Sequence, residues 1–121
     1  MRAELRALVS PDLPDLRSSM PDQPDDFCIL IQALIGSSDG PGEESFSFLV
    51  CTPRRLAREV VTRGRVIFGE HYLFVAYYDY VILWGSIAAL CRRTQGSSWR
   101  EVSERLATYG RWEFEEYRES L

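Results

Sequence analysis

The sequence has no lysine; its fourteen basic residues are all arginine. Such a bias reads as codon usage in a GC-rich genome rather than as selected chemistry. There is one histidine, His71, and there are three cysteines, Cys28, Cys51 and Cys91, far apart and without a neighbouring Cys or His. That count and spacing support neither a disulfide framework nor a zinc site. The cysteines read instead as small buried hydrophobes in a reducing compartment. No G-x-G-x-x-G or phosphate loop is present, and neither Ser45, Ser47 nor any cysteine stands in a G-x-S-x-G or similar nucleophile setting. The longest apolar stretch, residues 80–84 with 87–91, falls short of the roughly 20 residues that a membrane helix needs. No apolar run follows Arg2 and Glu4, so no secretory signal is expected. These absences lead to the expectation of a cytoplasmic protein with no cofactor, no metal and no membrane segment.

What is present suits one folded domain across residues 1–121. Hydrophobic residues make up 45% and charged residues 26% of the chain, and the 12% aromatic content argues against disorder. The net charge of -4 conceals a segregation. Residues 1–48 carry nine acids against three arginines, residues 49–98 three against seven, and residues 99–121 six against four. Acidic ends therefore flank a basic middle. Binding phosphates needs a basic face, so this balance argues against nucleic acid and for a basic protein as the direct partner.

Residues 3–9 nearly alternate, with Ala3, Leu5, Ala7 and Val9 on one side and Leu8 as the exception on the other, which is the period of a half-buried strand. Residues 10–26 hold four prolines and five aspartates and read as an irregular acidic connection. Residues 27–35 are apolar on both faces, as in a central strand, and the turn cluster at 36–42 closes a hairpin onto a strand at 44–51. Thr52-Pro53 starts a helix with Leu56, Ala57, Val60 and Val61 as its apolar stripe, and Gly64 ends it. Residues 66–68 and 72–78 give a strand pair or one bent strand. Asp79 caps a helix over 80–95 that buries Leu83, Trp84, Ile87 and Cys91, although residues 81–84 alone fit a strand equally well. Ser98 and Glu101 have capping-box spacing for a last helix, which pairs Glu101 with Arg105, buries Trp99, Val102 and Leu106, and ends at Gly110. The order predicts an α+β fold: an antiparallel sheet of about four strands with two to three helices packed on one face.

Candidate sites are few. His71 is the one obvious general base, and Asp79 or Glu43 are its available partners in a small-ligand or hydrolytic reading. The adjacent Glu70 gives weak support, because neighbours along a strand point to opposite faces. Glu43 and Glu44 follow a glycine-rich turn; they read plainly as solvated charges, and functionally as steering for a cationic partner. Arg54, Arg55, Arg58, Arg63 and Arg65 lack interleaved aromatics, so a solvated helix face, with Glu59 as counter-ion to Arg63, fits better than an RNA site. The densest signal is residues 112–117, where Trp112, Phe114 and Tyr117 alternate with Glu113, Glu115 and Glu116. Rigid aromatic area with negative charge suits a grip on a basic macromolecule. The expected division has Trp112 and Phe114 anchoring the segment and the three glutamates facing a partner. An exposed strand edge would instead make the chain a homo-oligomeric module.

Several stretches in order then carry a resemblance: Gly42-Glu43-Glu44-Ser45-Phe46-Ser47-Phe48-Leu49-Val50-Cys51-Thr52-Pro53, Phe68-Gly69 with His71, Tyr78-Asp79-Tyr80, Trp99 with Glu101-Val102, and Gly110 through Tyr117. Together they resemble the immunity protein 8 family of bacterial polymorphic-toxin systems, along nearly the whole chain from Leu5. The resemblance implies a cytoplasmic antitoxin that binds and blocks a cognate protein toxin, and no catalysis. Many such toxins are nucleases with basic clefts, which an acidic inhibitor could occupy. The expected partner surface is Asp39, Glu43, Glu44, Trp112, Glu113, Glu115 and Glu116, on a monomer or weak homodimer.

Overall fold

A computed structural model describes residues 1–113 of the chain. Its elements are β1 (Ala3–Val9), β2 (Cys28–Ser37), β3 (Glu44–Cys51), α1 (Pro53–Thr62), β4 (Tyr72–Phe74), α2 (Tyr80–Arg92), α3 (Trp99–Leu106) and β5 (Arg111–Trp112). The strands form one mixed, mostly antiparallel sheet in the order β1-β2-β3-β4, with β5 also pairing to β3. The fold is α+β, as the element order predicts.

The hairpin of β2 and β3 is the frame. Its register runs from Cys28 opposite Cys51 to Ile35 opposite Glu44. Ile29, Ile31, Ala33 and Ile35 are buried with Phe46, Phe48 and Val50, while Cys28, Leu30, Gln32 and Leu34 are half-buried on the other face. A central strand whose second face is only partly covered explains the double-sided apolar run. The far side of β3 is shared: β4 pairs in parallel with Leu49–Cys51, whereas β5 pairs antiparallel with Phe46 and Ser47.

β1 departs from simple alternation. The register jumps between Leu5 and Ala7, so Arg6 is an extra residue in the ladder. Beyond it the phase inverts, and Leu8, the exception to the alternating pattern, is buried while Val9 is exposed. Where β1 ends, side chains continue its pairing. Asp12 accepts from the Leu30 amide at 2.9 Å, and the Ser10 hydroxyl donates to the Leu30 carbonyl at 2.5 Å.

Leu83, Ile87, Leu90 and Cys91 of α2 and Val102 and Leu106 of α3 close the core over the inner face. The helix starts read from sequence are present. Thr52 accepts from Arg55 N with Pro53 next to it, Asp79 accepts from Ile82 N, and Ser98 accepts from Glu101 N. The capping box is shifted by one residue, because Glu101 returns to the amide and hydroxyl of Ser97. The 3.6-residue stripe of α1 buries nothing: Leu56 and Val60 are half-buried, Ala57 and Val61 are exposed, and none belongs to the core. Residues 66–68 and 75–78 are not strand, which leaves β4 with three residues.

Candidate partner-binding surface

The turn between β2 and β3 is organised by Arg6. Its guanidinium donates to the carbonyls of Ser37 at 2.6 Å and Gly40 at 2.5 Å. Gly36 makes room for this: a Cβ there would lie 2.2 Å from the Gly42 carbonyl oxygen and 2.7 Å from Arg6 Cζ. Gly42 itself has φ of 91°, a backbone state that favours glycine. Asp39 and Glu43 project from this turn and are exposed.

Glu44 does something different from its neighbour. Its carboxylate accepts from the Trp112 indole Nε1 at 2.7 Å and from the Ser103 hydroxyl at 3.4 Å, tying β3 to both β5 and α3. Trp112 is buried and lies parallel to Phe46, with ring centroids 6.3 Å apart. Gly110 allows β5 to approach, since a Cβ there would stand 2.6 Å from the Phe48 ring. The aromatic anchor expected at Trp112 is therefore present, and Glu113 beside it is exposed. Asp39, Glu43, Glu44, Trp112 and Glu113 gather at one end of the sheet; Glu115 and Glu116, with Phe114 and Tyr117, lie outside the described residues.

His71 is not assembled into an acid-base pair. It sits at φ 61° in the turn before β4, and its Nε2 lies 3.3 Å from the Ala107 carbonyl. It lines a cavity of about 1090 Å³ on the outer face of the sheet with Leu30, Gln32, Ser47, Leu49 and Glu113. Asp79 lines another cavity and its carboxylate caps α2; Glu43 lines neither. The thiols offer no nucleophile, because burial pushes Cys51 up to about 12 and Cys91 up to about 11 and also raises Cys28. Among the described residues no group of His, Cys, Asp or Glu could hold a metal ion, and no helix is long and apolar enough to cross a membrane.

The arginines of α1 have local counter-ions. Arg54 pairs with Asp25 at 3.2 Å and Arg58 with Asp26 at 2.5 Å, both aspartates belonging to the acidic connection before β2. The hydrogen bond from Arg58 holds the Asp26 carboxyl below its ordinary range. Glu59 pairs with Arg55 at 2.8 Å, so the expected partnership with Arg63 is replaced by one a turn earlier; Arg63 points toward the Tyr72 hydroxyl.

The surface that sequence reasoning missed lies at the opposite end of β3. Phe74 is 54% exposed, Tyr77 53%, Val81 76% and Ile82 56%. Phe74, Tyr77 and Ile82 line an apolar cavity of about 260 Å³ between β4 and α2, together with Val50, Leu73 and Leu83. The apolar run of residues 72–78 reads as strand from sequence alone; its one distinguishing signal is that the run has no polar alternation.

The profile of one protein family, described as immunity protein 8, matches residues 3–117. No curated protein and no solved structure matches the chain.

Proposed function

Because the chain belongs to the immunity protein 8 family, we propose that it binds a cognate protein toxin and blocks that toxin's functional surface in the cytoplasm, acting without catalysis as a monomer or weak homodimer. The toxin side of the contact is basic, as in a nuclease cleft, and the acidic end of this chain faces it. Asp39, Glu43 and Glu113 supply exposed charge; Glu115 and Glu116 extend it along the chain. Trp112 and Glu44 hold the end together rather than projecting into the partner.

The observation that carries this assignment is the 2.7 Å bond from Trp112 Nε1 to Glu44. It fastens β5 to the β2–β3 hairpin, and Glu43 and Glu113, each next in sequence to one of the bonded residues, stand exposed beside it. Charges so placed raise the association rate and lose that advantage as salt screens them, with a Debye length of about 8 Å at physiological ionic strength. The test is binding of the purified product of the adjacent toxin gene. Replacing Glu43, Glu113, Glu115 and Glu116 together by Gln is expected to slow association about tenfold at low salt and to flatten its salt dependence, within the range that steering provides. An unchanged association rate would refute the acidic surface.

A further inference from the structure

We propose that β4 is a docking edge for one extended strand of the toxin, with an apolar side chain of that strand seated in the cavity between β4 and α2. The inference rests on the toxin-binding reading for the identity of the partner. Parallel pairing uses the odd-numbered positions of this segment: Leu49 N donates to the His71 carbonyl and Val75 N to the Cys51 carbonyl. The amides and carbonyls of Tyr72 and Phe74 therefore point away from the sheet, and among the described residues they have no hydrogen-bond partner. Unpaired backbone groups in a row are a template for another strand.

The side chains say what kind of strand fits. Next to the free edge, Tyr77, Ile82 and Phe74 ring the cavity, and its floor is Val50, Leu73 and Leu83. Asp79 is the one formally charged residue lining it, and that carboxylate is engaged at 3.1 Å with the Ile82 amide. An anionic side chain would enter beside that carboxylate without a counter-ion, and a cationic one would find a single acid already engaged; an aliphatic or aromatic one would displace water from apolar walls. Exposed aromatics around an apolar pocket are the composition of an interface centre rather than of a rim. Three residues of edge accommodate a short segment, so the backbone bonds give direction and the pocket gives selectivity.

The acidic end and this edge would then divide the kinetics, charge setting association and the apolar pocket setting dissociation. The experiment uses the full chain and the purified adjacent-gene toxin. Tyr77→Ala and Ile82→Glu are expected to speed dissociation at least tenfold while leaving association and the melting temperature close to wild type, both residues being more than half exposed. Hydrogen exchange is expected to show the Tyr72 and Phe74 amides becoming protected in the complex. Tight binding by both variants without that protection overturns the proposal, as does sedimentation of the free chain as a dimer that Ile82→Glu dissolves, which would make a second copy the occupant. If wild-type chain fails to bind the toxin, the functional reading falls, and this inference with it.

Discussion

The two ends of β3 invert the usual assignment of residue type to address. At one end a carboxylate and an indole face inward, and Glu44, Trp112 and Ser103 are joined by hydrogen bonds behind the exposed Asp39 and Glu43. At the other end Phe74, Tyr77, Val81 and Ile82 face outward. Polarity follows the availability of partners, not a rule that acids go outside and aromatics inside. A half-buried carboxylate is tolerated because two donors meet it. Exposed rings are tolerated because the core has already closed around Leu83, Ile87 and Phe46 without them.

The largest expected effect falls on the acidic end. Trp112→Ala removes a buried ring stacked on Phe46 and leaves the Glu44 carboxylate only the Ser103 hydroxyl as donor, and should cost about 3–5 kcal/mol in denaturant unfolding. Gly110→Ala tests the same docking through sterics alone. Its new Cβ would press on the Phe48 ring, at a cost of about 1–3 kcal/mol by the same measurement. Glu44→Leu should lie in a similar range, about 1–3 kcal/mol, because the Trp112 and Ser103 donors lose their acceptor, and Glu44→Gln should recover most of it. Val81→Lys at the apolar end should stay within about 0.5 kcal/mol of wild type, since it touches a residue with little left to lose. A large loss there would mean that the two ends are built alike.

Acid reaches both regions. Asp26, next to the Phe27 that packs edge-on against Tyr78, is lowered chiefly by its bond from Arg58, and Glu101, which caps the helix bearing Ser103, chiefly by its bond from the Ser97 hydroxyl. Both folded values lie below the unfolded ones. Their contribution is therefore complete above the ordinary carboxylate range near about 4 and is lost as pH falls through the folded values. Melting temperatures measured downward from pH 5 should drop, and less steeply in Asp26→Asn and Glu101→Gln.

Much of the fold was legible because short-range chemistry decides it. The bounds of β1 and β3 follow from alternation and the turn residues, and Thr52, Asp79 and Ser98 declare the helix starts by what a side-chain oxygen can accept. The errors share a cause. Pattern reports that a residue is apolar, not which neighbour arrives to cover it, so the apolar stripe of α1 stays outside the core and residues 66–68 and 75–78, apolar enough for strand, are not strand. The candidate site divides the same way. Charge density singles out Glu43 and Glu113 as candidates, and both are exposed, but the inward turn of Glu44 depends on Trp112, 68 positions away, which no local pattern encodes.

The bulge in β1 has a consequence at the level of chain length. Arg6 is the residue without a cross-strand partner; deleting it would leave Leu5 opposite Ile35, Ala7 opposite Leu34 and Leu8 opposite Ala33. The ladder would close without a gap, and Leu8 would still point inward. What would vanish is the clamp on the Ser37 and Gly40 carbonyls. The extra residue is thus a graft, one arginine spliced into a strand that does not need it, so that the hairpin carrying Asp39 and Glu43 is gripped from next door.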